Sequence, residues 1–174
     1  SFYTQIAIAS SRLRSRRPAE ETVPLATDDS LLHAWQDAKN TTFSGRMSKD
    51  PAARTAADDQ LAAARAELEE RGLVLWQLRS KGRKAYDKVT RENPPSEAER
   101  AEAKAKGQGE ILWSPEAFPA ALIAACTVGD LEGITAGDIG EMMDDGRLSE
   151  GEVGHLFTKA VGLHTGTRIP DLGK

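Results

Sequence analysis

The side chains whose types and spacing could do chemistry in this sequence are three histidines, one cysteine and a run of acids near the C-terminal end. The run Glu141–Glu152, EMMDDGRLSEGE, carries the most pattern. Aligned with Gly146 at the sixth position of a calcium loop, its ligand positions 1, 3, 5, 9 and 12 fall on Glu141, Met143, Asp145, Ser149 and Glu152. Met143 spoils the set, because a thioether is a soft donor that does not serve Ca²⁺. Glu141 is also longer than the aspartate that usually opens such a loop. A helix corner accounts for the same residues. Gly146 ends one helix in the left-handed conformation, while Ser149 and Glu152 form a capping box for the next, with Leu148 and Val153 as its apolar staple. The corner is the stronger reading, and a degenerate calcium-binding helix-loop-helix is its alternative.

The other candidates are weaker. His33, His155 and His164 stand at no zinc-ligand spacing. Cys126 lies in IAACTV, apolar on both sides, and reads as a buried small hydrophobe rather than a nucleophile. Asp144 and Asp145 are adjacent in a turn and point apart. The glycines of GDLEGITAGDIG follow a helix and lack the dinucleotide-binding pattern. Catalytic residues: none; cofactor-binding residues: none; metal ligands: none; cofactors: none. The basic cluster Arg79, Lys81, Arg83, Lys84, Lys88 and Arg91 reads as a solvated helix face, with a docking face as the alternative.

The elements that must position these residues read as helices, and the fold class expected is all-α. Hydrophobic residues make up 39% of the chain but aromatic ones only 5%, so alanine carries much of the apolar content. Alanine favours helix but buries little area per residue, which predicts thin helical layers. Residues 1–27 read as an extended basic arm with Arg12, Arg14, Arg16 and Arg17, and ETVPL within it as a short strand or docking segment. The chain opens at Ser1 without an initiator methionine, and its apolar start SFYTQIAIAS precedes the basic residues, the reverse of a secretion signal.

Residues 28–95 are expected to form a long alanine-rich helical hairpin. Leu31, Leu32, Trp35 and Ala38 share one face, Ser44 and Gly45 break the helix, and Asp50-Pro51 opens the next. From there Leu61, Leu68, Leu75 and Leu78 continue an apolar stripe in one helix or two, with LVLWQL, Leu73 to Leu78, its best-buried part. Asn93-Pro94-Pro95 ends it. Residues 96–110 read as a polar helix and linker, opened by the Ser96–Glu99 capping box. Residues 111–174 read as a small C-terminal helical subdomain. There Ser114-Pro115 starts a helix with Trp113 and Phe118 as its staple, FPAALIAAC is buried nearly all round, and Thr135–Asp138 and Ile134/Ile139 repeat the capping device.

Net charge of −4 gives no global case for nucleic acid, the single cysteine excludes an internal disulfide framework, and no apolar run reaches membrane-spanning length. The expectation is a cytoplasmic protein with no membrane and no nucleic-acid partner.

The ordered set RSRRP…ETVPL, an alanine-rich helix pair, LWQLRSKGRKAYDKVTRENPP, WSPEAFPAALIAAC and LSEGEVGHLFTKAVGL resembles the tail assembly chaperones of long-tailed, siphovirus-type phages and prophages of actinobacteria. It covers about Arg14 to Leu163. Asn93 stands where the family pattern has a histidine before two prolines, and HTGTRIPDLGK replaces the usual polar end of the last helix. The resemblance implies a non-enzymatic phage protein of virion assembly. On that resemblance the chain is expected to bind the tape-measure protein in the bacterial host cytoplasm, with the tail-tube protein as a further candidate partner; a homo-oligomer would extend its cover of the partner's helices. A structural virion or adaptor protein of a phage particle is the alternative.

Overall fold

The computed structural model describes residues 1–173. The chain is mostly helical, with a small sheet: α1 (Phe2–Arg14), β1 (Glu20–Ala26), α2 (Asp29–Arg46), α3 (Pro51–Arg71), β2 (Leu73–Arg79), α4 (Arg83–Glu92), α5 (Glu97–Ala105), α6 (Phe118–Cys126), β3 (Thr127–Val128), a short 3₁₀ turn, α7 (Ala136–Asp144) and α8 (Glu150–Thr165). It packs as two units, one of residues 23–76 and one of residues 1–22 together with the chain from Gln77 onward. Strands β1 and β2 each run from one unit into the other.

In the 23–76 unit, α2 and α3 form an antiparallel hairpin with a seam of small residues. Thr42 Oγ1 donates to the Ala57 carbonyl at 2.9 Å across it, and both residues are buried. Gly45 lies inside α2 and does not break it. A Cβ there would stand 2.8 Å from the Ala57 methyl, so glycine is what lets the backbones approach. The helix starts carry the caps that the sequence suggests: Asp28 accepts from Leu31 N, and Asp50 from Ala52 N, each at 3.0 Å.

Three expectations are corrected. The fold is not all-α, because β1, β2 and β3 form a three-stranded antiparallel sheet in that order. The run LVLWQLR, expected as helix, is strand β2: Trp76 and Leu78 are buried while Leu75, Gln77 and Arg79 are exposed, which is a period of two. The leucines at 75 and 78 had suited a helical stripe, but Gly72 ends α3 before them. The segment 1–27 is likewise not extended throughout. Its first half is α1, opened by the Ser1 hydroxyl accepting from Thr4 N and over before Pro18, and its second half is β1.

The other unit is built on α6, whose Phe118, Leu122, Ile123 and Cys126 are buried. It packs against α4, α7 and α8, whose buried residues include Ile139, Val153, Leu156 and Ala160. The helix begins at Phe118, one turn later than Ser114-Pro115 suggests. Ser114 still works as a cap, accepting from Ala117 N at 3.0 Å, and its hydroxyl is held by Glu99 at 2.8 Å. Trp113 stacks on Phe118 with centroids 4.6 Å apart, while Tyr86 and Phe157 meet the same ring edge-on. Strand β3 pairs with β2, Gln77 opposite Val128. Directly after it, Gly129 turns the chain at φ +74°, where a Cβ would collide with the Gln77 side chain.

Candidate functional site

The acidic run at 141–152 is a helix corner. Gly146 takes φ +82° after α7, and the Leu148 N–H reaches back to the Met142 carbonyl at 2.9 Å. Ser149 accepts from Glu152 N and Glu152 accepts from Ser149 N, each at 3.0 Å, while Leu148 and Val153 are buried. The Thr135–Asp138 and Ser96–Glu99 boxes close in the same way. Two carboxylates of the would-be calcium set turn to a cation of their own chain. Arg147 donates through Nε to both Asp145 oxygens, at 2.9 and 2.8 Å, and reaches Glu141 at 3.5 Å. The hydrogen bonds from Arg147 hold the Asp145 carboxyl below its ordinary range. Among the described residues, no three His, Cys, Asp or Glu side chains are grouped to hold a metal ion.

The fold brings together one pair that sequence spacing does not reveal. Cys126 at the end of α6 and His164 near the end of α8 place Sγ and Nε2 4.0 Å apart, with Tyr86 tilted against the imidazole. The geometry does not make a nucleophile and base. His164 Nδ1 lies 2.8 Å from the Ala160 carbonyl, which can only accept, and Nε2 lies 3.1 Å from the Lys81 N–H, which can only donate. Both ring nitrogens are thus engaged by the backbone, Nδ1 facing an acceptor and Nε2 a donor. Burial pushes the Cys126 thiol up to about 11, so it stays protonated at neutral pH. His33 is exposed on α2, and His155 is exposed on α8, more than two turns before His164.

The basic cluster is divided by the strand. Arg79 lies on β2 and pairs with Glu20 at 2.6 Å, whereas Arg83, Lys84, Lys88 and Arg91 are exposed on α4, with Lys88 3.8 Å from Glu92. These pairs are solvent-exposed and contribute little to stability.

What remains is a surface. Helix α1 buries none of its residues, yet Phe2, Ile6 and Leu13 fall on one stripe with Ala9, at spacings of four, three and four. Phe2 is 71% exposed and Leu13 68%. Arg12 and Arg14 flank that stripe, and residues 1–17 contain no acid. Phe43 and Met47, near the α2–α3 turn, are also exposed. No described helix is long and apolar enough to cross a membrane. Large exposed apolar side chains aligned on a helix mark a surface open to association. No protein-family model, curated protein or solved structure matches this chain.

Proposed function

We propose that this chain is a non-enzymatic tail assembly chaperone of a long-tailed phage or prophage, which binds the tape-measure protein before the tail tube closes round it. The observation that carries the reading is α1, a helix whose apolar stripe of Phe2, Ile6, Ala9 and Leu13 is left exposed by the described residues. Fully burying one such large side chain contributes about 1.5–3 kcal/mol. Three such side chains sum to about 4.5–9 kcal/mol, of the same order as the cost of association and of ordering a helix, so the stripe holds a partner that adds contacts of its own. A tape-measure protein is a long succession of amphipathic helices, and the flanking arginines suit acids beside its stripe. The order of sequence blocks from Arg14 to Leu163 supports the same family.

Co-expression with the tape-measure protein of the same phage or prophage tests this. The chaperone raises the soluble fraction of that protein and co-purifies with it, and a triple Phe2→Ser, Ile6→Ser, Leu13→Ser variant loses both effects while keeping its own melting temperature. No co-purification and no gain in solubility with the unaltered chain would overturn the reading.

A further inference from the structure

A second surface, independent of α1, lies between the start of β1 and helix α8. It is a groove of about 820 Å³, with Ala19, Glu20 and Glu21 on one wall and His155, Thr158 and Gly162 among the residues of the other. The strand wall is an open edge, since β1 has β2 on one side and no strand on the other. The bonds that close the β1–β2 ladder, Ser80 N to the Ala19 carbonyl and Thr27 N to the Gly72 carbonyl, each 2.8 Å, fix which residues face β2. By the two-residue alternation, these are Ala19, Glu21, Val23, Leu25 and Thr27. The N–H and C=O groups of Glu20 and Thr22 point the other way, outward from the sheet. Pro24 is the next outward position, and it has no N–H to offer a neighbour, so the edge is blunted there. The open template is thus confined to Glu20–Thr22, at the end of the strand that lines the groove.

Charge gives the groove its preference. Its two acids are already matched, Glu20 by Arg79 at 2.6 Å and Glu21 by Lys159 at 3.3 Å. Arg16 and Arg168, both exposed on the groove lining, have no carboxylate within 4.0 Å among the described residues. One Arg168 N–H is spent on the Arg17 carbonyl at 2.9 Å. In a chain of net charge −4, this is a local excess of positive charge beside unpaired backbone groups.

We propose that this groove takes an extended, acidic segment of a partner polypeptide, added as a strand beside Glu20–Thr22 with a carboxylate directed to Arg16 and Arg168. Main-chain hydrogen bonds to the strand edge supply affinity without regard to sequence, and the two arginines select for acid. A nucleic acid or free phosphate would use the arginines but leave the strand edge unsatisfied. The proposal goes beyond the chaperone reading and stands or falls without it.

Fluorescence polarisation of a short labelled peptide of alternating valine and glutamate, titrated with the full chain at low salt, tests it. Saturable binding is expected. Three changes should each weaken it by about tenfold or more: lysine in place of the peptide's glutamates, N-methylation of the peptide backbone, and the Arg16→Glu, Arg168→Glu double variant. Both arginines are exposed, so circular dichroism melts of the double variant should match the parent. Pro24→Val lengthens the open edge and should tighten binding. Absence of saturable binding refutes the proposal, as does equal binding of the lysine peptide. Full affinity of the N-methylated peptide, or its displacement by inorganic phosphate alone, shows a charge site without strand addition and refutes it too.

Discussion

Replacing Phe118 with alanine should cost about 5 kcal/mol, the top of the range for such a change. Phe118 is fully buried, and three aromatic rings meet it: Trp113 stacked at 4.6 Å and Tyr86 and Phe157 edge-on, each at 5.8 Å. Truncation removes the transfer free energy of the ring and leaves a cavity whose lining cannot easily collapse, because α4 and α8 are held apart by the remaining rings. Aromatic pairs add about 0.5–1.5 kcal/mol each beyond area burial, so three lost pairs place this site above an ordinary core phenylalanine. Phe118→Leu keeps most of the apolar volume and loses the ring geometry, and should cost about half as much. A domain of this size is stable by about 5–15 kcal/mol in total, so this loss removes between a third and all of it. Urea unfolding followed by far-UV circular dichroism and by tryptophan fluorescence, with Leu122→Ala as a buried non-aromatic comparison, gives the ranking. A Phe118→Ala cost at or below that of Leu122→Ala would refute the claim that the ring cluster organises the unit built on α6.

Two further outcomes follow from local geometry. Ser149→Ala removes the side-chain half of the capping box that starts α8 and should lower stability by about 1 kcal/mol, whereas Glu152→Gln, which can still reach the Ser149 N–H, should cost clearly less; thermal melts of the two variants check the order. For Cys126, burial raises the thiol from 9.0 to about 11, so the folded chain keeps a proton that the unfolded chain gives up in that window. Its contribution to stability is therefore intact below about pH 9 and falls as the pH rises towards 11. At pH 8, iodoacetamide should label the folded chain about a hundredfold more slowly than the urea-unfolded chain, and equal rates would contradict the burial.

The parts of the fold legible in the sequence are those written over three or four residues. The boxes Ser96–Glu99, Thr135–Asp138 and Ser149–Glu152, the aspartate caps of α2 and α3, and the Trp113–Phe118 contact each depend on neighbours within one turn. They appear wherever the chain is helical, whatever lies beyond. Strand β2 was hidden for the opposite reason. LVLWQLR follows twenty residues of strong helix former, and its leucines fit a stripe of period 3.5 as readily as one face of period two. Only pairing with β1 and β3 separates the two, and that pairing joins residues far apart in sequence. Helix α1 was hidden because the arginines and Pro18 at its far end suggest an extended arm, although no proline interrupts Phe2–Arg14. The acidic run could be read as a corner from its caps, but its ion pairs to Arg147 could not, because they depend on the angle of the turn. Cys126 beside His164, and the groove along β1, exist only once α6, α8 and the sheet are assembled, and no local pattern announces them.

The unit built on α6 is discontinuous in sequence, since the hairpin unit interrupts it between Thr22 and Gln77. That arrangement imposes an order on biosynthesis. Residues 1–22 leave the ribosome ahead of β2, α4 and α6 and must wait for them before their unit can close. The α2–α3 hairpin, whose contacts are short-range, can form as soon as Gly72 has emerged. Until then the β1 strand has both edges open, and Pro24 on the outward edge guards it against pairing with a neighbouring nascent chain.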